Sequence, residues 1–163
     1  MRSAVFADAG PLIALSRIAA LELLRGVFGQ IFVTPEVHAE ILPDTEFRGR
    51  DLIKAAFDAG WLVERPSVAT HWQPLNPSLD AGERSVIAAA LQSSASLLII
   101  DDRAGRAEAK SQRLAIIGTA AVIGLAKVQG LIPAARPVLE KLQPAGYFIH
   151  PRIIETVWKD VGE

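Results

Sequence analysis

Asp8, Asp101 and Asp102 stand where a hydrophobic run gives way to a helical pattern, Glu40 lies on the helix after a second such run, and Glu83 opens another helix. The sharpest junction is "SLLIIDDRAG", residues 96–105, in which four large apolar residues run straight into Asp101 and Asp102. A carboxylate buried at the end of such a run costs several kcal/mol unless something compensates it. If these acids converge in the fold, two of them ~4 Å apart repel by roughly 4 kcal/mol at an effective dielectric of 20. A cluster of them must therefore take up protons or hold a cation. The chain has no cysteine and only three scattered histidines, so the donors would all be oxygen, a set that selects Mg²⁺ or Mn²⁺. Such a site can activate water and steady the leaving oxygen of a phosphodiester. A metal would also be what makes Asp101 tolerable.

Most of these acids also have a use in local structure. Asp8 suits the N-cap of the helix that begins near Gly10, and Asp102 that of the helix "RAGRAEAK". Asp80 and Glu83 form a D-x-x-E pattern ahead of an apolar helix, close to a reciprocal capping box. In "TPEVHAEIL", Thr34 as cap and Pro35 as first residue leave Glu36 in the first turn, where its charge is favourable. Glu40 lies one turn deeper, between Ala39 and Ile41, and has no capping role. Both adjacent aspartates, Asp101 and Asp102, remain candidates for a ligand.

The elements that must position these acids alternate. "SAVFAD", "QIFVT", "LLIID" and "LAIIG" read as short buried strands, separated by helical stretches of ten or more residues, the signature of βαβ units around a parallel sheet. In such sheets ligands bind where strands end and helices begin. "VERPSVATHWQPLNPS", with Pro66, Pro74 and Pro77, reads as one long irregular surface loop. The tail from Pro133 holds two short helices, "ARPVLEKLQ" and "PRIIETVWKDV", expected to pack on the sheet or on a second subunit. The length suits one domain over residues 1–163.

Half of the residues are hydrophobic and the mean hydropathy is +0.28. That leaves apolar surface for a partner, so a homodimer is expected. The uncharged runs 85–100 and 114–126 are too short or too polar to span a bilayer. Asp8 interrupts the amino terminus before a signal sequence can develop, which points to the cytoplasm. A net charge of −1 gives no bulk attraction for nucleic acid.

A local basic stripe is nonetheless present: Arg103, Arg106, Lys110 and Arg113 share one helix face at helical spacing. It is either a solvated surface or a track for an RNA backbone, with Arg106 and Arg103 the candidate phosphate contacts. Thr119 follows the strand "LAIIG" and either caps the next helix or orients a water or phosphate. His38, His71 and His150 are assigned no chemistry. Trp61, Trp72 and Trp158 read as core or interface residues, with base stacking the alternative for Trp72.

"FADAGPLIAL", "TPEVHAEIL", "LDAGERSVIAAAL", "LLIIDDRAGRAEA" and "AIIGTAAVIGLAKVQGLI" together resemble PIN domains, in particular the branch related to VapC-type toxins, over nearly the whole chain. The resemblance implies a three-layer α/β/α fold with a central, mainly parallel sheet. It places the four family acids on Asp8, Glu40, Glu83 and Asp101, with Asp102 the second choice at the fourth position. It further implies Mg²⁺- or Mn²⁺-dependent cleavage of RNA by the toxin of a toxin–antitoxin pair, and the apolar surplus then suggests a groove in which an antitoxin segment docks as a helix. Two rival readings exist. "LLIIDD" is also similar to the acidic pair of signalling receiver domains, but only residues 103–163 follow it, too few for that fold. The other is a PIN-like domain that has lost catalysis and binds RNA or protein.

Overall fold

The computed structural model describes residues 3–66, 72–93 and 96–163. Five short strands, β1 (Val5–Ala7), β2 (Ile31–Val33), β3 (Leu62–Glu64), β4 (Leu97–Ile99) and β5 (Ala115–Ile117), form an all-parallel sheet in the order β3-β2-β1-β4-β5. Val5, Phe6, Ala7, Leu98, Ile99 and Ile100 are buried, which is why their sequence is a continuous apolar run rather than an alternating one. The register sets Val5 beside Leu97 and Ala7 beside Ile99.

The chain steps outward from β1 through β2 to β3, then returns across the sheet to β4 and continues to β5. Right-handed crossovers running in opposite directions put their helices on opposite faces. On one face α1 (Ala9–Arg17) packs with α3 (Pro35–Ile41), α4 (Arg50–Asp58) and α7 (Thr119–Val128), and α2 (Glu22–Phe28) packs with α7. α5 (Ala81–Gln92) packs on β1, on β4 and on α6 (Arg103–Ser111). The result is the expected three-layer α/β/α arrangement. Its reversal of strand order leaves a crevice beyond the carboxyl ends of β1 and β4.

Two expectations change. The stretch from Val63 is not irregular from its start, because Val63 and Glu64 belong to β3 and pair with Phe32 and Val33. Leu62-Val63-Glu64 ends on an exposed charge and runs straight into Arg65 and Pro66, so it lacks the continuous apolar run that marks the other strands. His71 and the rest of residues 67–71 lie outside the described part, whereas Trp72 packs against the core. The tail helices α8 (Arg136–Leu139) and α9 (Pro151–Asp160) pack on α7 rather than on the sheet. Gly124 permits this approach, since a Cβ there would stand 2.7 Å from Val157 Cγ1. Glu163 fastens the end by accepting the backbone N–H groups of Ala135 (2.7 Å) and Arg136 (3.0 Å). Among the described residues no helix is long and apolar enough to cross a membrane.

Candidate active site

A backbone bond brings the two key strand ends together: the N–H of Asp8, just past β1, donates to Ile99 O of β4 at 2.9 Å. Asp101 follows two residues later. At this crevice lies a cleft of about 380 Å³ whose walls carry Asp8, Glu40, Asp80, Glu83, Asp101 and Asp102. All five acids singled out in the sequence line it, and Asp80 joins them. Gly82 makes room for the cluster, because a Cβ there would overlap Glu40 Oε1.

The side chains are held in different ways. Asp80 and Glu83 make the full capping box of α5: Asp80 Oδ1 accepts the Glu83 N–H at 2.8 Å and Glu83 Oε2 accepts the Asp80 N–H at 3.2 Å. Asp102 caps α6 by accepting the Gly105 N–H at 2.8 Å. Asp8 occupies the N-cap position of α1 without making a side-chain capping bond. Glu40 sits past the middle of α3, whose cap is Thr34 as expected.

Asp101 is satisfied by the protein itself. Its Oδ1 accepts the Thr119 N–H at 2.8 Å, and its Oδ2 accepts both the Thr119 hydroxyl and the Tyr147 phenol. In this structure those hydrogen bonds compensate the carboxylate, in the role the sequence assigned to a metal. Thr119 consequently changes role. It is 0% exposed, Gly118 is the N-cap of α7, and the Thr119 hydroxyl is spent on Asp101 rather than on a substrate or a cap.

Electrostatics follows from this crowding. Asp8 is only 7% exposed, and burial, reinforced by Asp80, Glu40 and Asp102 against the opposing Ala9 N–H, raises its pKa to about 7. Glu83 is also raised to about 7, chiefly by burial, with Asp102, Asp80 and Asp8 adding to it and the Asp80 N–H opposing it. Glu40 is raised by burial and by Asp80. Tyr147 is pushed far upward by burial and then by the facing Asp101, so it stays a phenol and donates.

Oxygen-only donors that resist ionisation fit a hard divalent cation, which favours their charged forms. As they stand, however, no group of three or more acidic or histidine side chains among the described residues is arranged to clasp an ion. Glu83 and Asp102 are committed to capping and Asp101 to Thr119 and Tyr147, whereas Asp8 and Glu40 cap nothing.

Arg103, Arg106 and Lys110 line a neighbouring cleft that shares Asp101 with the acidic one. Arg106 Nη1 donates to Ile100 O at 2.9 Å and so also braces the end of β4. Arg113 falls beyond the end of α6, with φ of 60°, and leaves the stripe. Tyr147 is the residue sequence reasoning missed. It is the chain's one tyrosine, in the turn "PAGY", and nothing in its spacing ties it to Asp101. Asp80 was visible only as a cap.

A family model described as PIN domain matches residues 4–163. Neither a curated protein nor a solved structure matches the chain.

Proposed function

The chain belongs to the PIN-domain family, whose fold is of nuclease type, and from that premise we propose that it is a Mg²⁺- or Mn²⁺-dependent endoribonuclease acting as the toxin of a VapC-like toxin–antitoxin pair. The observation that carries the reading is the convergence of six carboxylates in one cleft at the strand-order reversal. Asp8 and Glu40 are the first ligands, joined by Asp101, with Asp102 and Glu83 within the same cleft. Bound there, the ion supplies Lewis acidity to the phosphodiester and to the attacking water.

The remaining work falls to the chain. Thr119 and Tyr147 fix the direction of Asp101, and Arg106 and Arg103 stand beside it to receive a phosphate oxygen. Glu83 lies in the same cleft, where its carboxylate can accept a proton from water once a bound cation favours its charged form. Cleavage of a labelled single-stranded RNA in Mn²⁺ and its absence in EDTA are the expected results. Intact RNA after prolonged incubation with Mn²⁺ would remove the nuclease reading. It would favour the second one, a PIN-like binding module, which draws on the capping bonds that hold Glu83 and Asp102. Under the toxin reading, exposed Leu75, Val128 and Leu131 are apolar side chains for an antitoxin helix or a second copy to cover.

Gly82→Ala separates the site from the scaffold. Alanine is favoured over glycine by at most about 1 kcal/mol at this first-turn position of α5, and what its Cβ would overlap is the flexible end of Glu40, with Asp80 Oδ1 at an ordinary contact distance. The variant should therefore melt no lower than the wild type while losing most of its Mn²⁺ response and RNA cleavage. Unchanged metal response would show that Glu40 is not a ligand.

A further inference from the structure

Beside the acidic cleft lies a second of about 630 Å³, bounded on one side by α6 and on the other by the segment leading into α9. That volume falls in the range of small-ligand sites. Its α6 wall is cationic: Arg103, Arg106 and Lys110 recur at the i, i+3, i+7 spacing of one helix face. Among the described residues none of the three is engaged in an ion pair. Its opposite wall is open and mostly apolar, with Phe148 at 69% and Ile153 at 51% exposure, and it carries His150 between them. Between the two walls the cleft is lined by the small residues Gly118, Ala120 and Ala121. At Gly118 the two clefts meet, since a Cβ there would lie 2.8 Å from Asp101 Oδ1 and 3.1 Å from Arg106 Nη1. Phe148 lines both clefts.

A cavity with cations on one wall and an exposed aromatic ring on the other matches the two halves of a nucleotide. Resting on the ribonuclease reading above, we infer that this cleft seats the nucleotide adjoining the scissile phosphate of a single-stranded RNA, with its base on Phe148 and its phosphate on Arg103 and Lys110. Arg106, already bonded to Ile100 O, marks the boundary with the acidic cleft. A duplex does not suit the site, because its bases are already stacked on one another and cannot reach the ring.

The test measures binding of a short single-stranded RNA to the full chain in EDTA, where cleavage cannot interfere. Phe148→Ala should weaken binding about tenfold or more, the loss typical of one base–aromatic stack, while Phe148→Trp retains it. The wild type should discriminate against an oligonucleotide with one abasic position, and Phe148→Ala should not. Lys110→Glu should weaken binding and flatten its dependence on salt. Because Phe148 is largely exposed, its replacement should leave the melting temperature unchanged. If the wild type cleaves RNA with Mn²⁺ but Phe148→Ala binds and cleaves as the wild type does, the subsite is wrong and the nuclease reading stands. If the wild type neither binds nor cleaves RNA, both fall together.

Discussion

Asp8→Asn should abolish RNA cleavage and at the same time make the metal-free protein more stable at pH 8. The two effects have one source. Asp8 is buried among Asp80, Glu40 and Asp102, which lifts its pKa from 3.8 to about 7, so the fold prefers its neutral form. The unfolded chain prefers the charged form at any pH above about 4. For this group stability is therefore fully present below pH ~4, declines as pH rises toward 7, and stays at its lower value above that. At 1.36 kcal/mol per pKa unit the loss is of the order of 4 kcal/mol. Asparagine is isosteric and cannot ionise, so the variant should recover much of it, roughly 2–4 kcal/mol at pH 8 and close to nothing at pH 4. Urea melts in EDTA across pH 4–8 measure the gap directly. A variant less stable than the wild type at pH 8 would mean that Asp8 is a structural cap, against the missing capping bond. Cleavage should fall more than about 100-fold, since even partners outside a metal's own ligands commonly cost 10- to 100-fold.

What the sequence made legible was whatever depends on neighbours in the chain. β1 and β4 announce themselves because both faces of the sheet are covered, and Asp8 and Asp101 stand out because a charge ends each run. Thr34, Asp80 and Asp102 cap the helices their spacing suggested. The hidden features depend on returns of the chain. Tyr147 reaches Asp101 across 46 positions, and that link exists only because α8 and α9 fold back over α7. Thr119 was legible as a residue at a helix start but not as the donor that holds Asp101, because a hydroxyl gives no hint of which buried acceptor it will meet. β3 was lost because Glu64, Arg65 and Pro66 cut short its apolar run after Leu62 and Val63, whereas β5, equally short and also at an edge, keeps the run "LAII". Capping does not take a residue out of the cleft: Glu83 is half of a capping box and also lines the acidic cleft. Choosing between capping and a place in the cleft from sequence posed a question whose alternatives are not exclusive.

Mn²⁺ should raise the melting temperature of the wild type, and the rise should grow with pH. At about 100 times its dissociation constant a ligand of the folded state stabilises by about 2.7 kcal/mol. For a chain of this size that corresponds to roughly 5–10 °C. The pH dependence follows from the acids it must displace protons from. Asp8 and Glu83, both raised to about 7, are largely protonated at pH 6, so binding there releases protons and is penalised. Above pH ~8 they are ionised already and the penalty disappears. The metal-free protein has lost stability between pH ~4 and 7 as these groups are forced to ionise, so adding Mn²⁺ relieves the repulsion that ionisation creates. The two melting curves should consequently diverge between pH 6 and 8 and then run parallel. Asp8→Asn should remove most of that divergence. A metal-induced rise that is flat in pH would place the ion on surface carboxylates with ordinary pKa values rather than in this cleft. No rise at any pH would assign the fold to a binding module and leave the capping box as the purpose of Asp80 and Glu83.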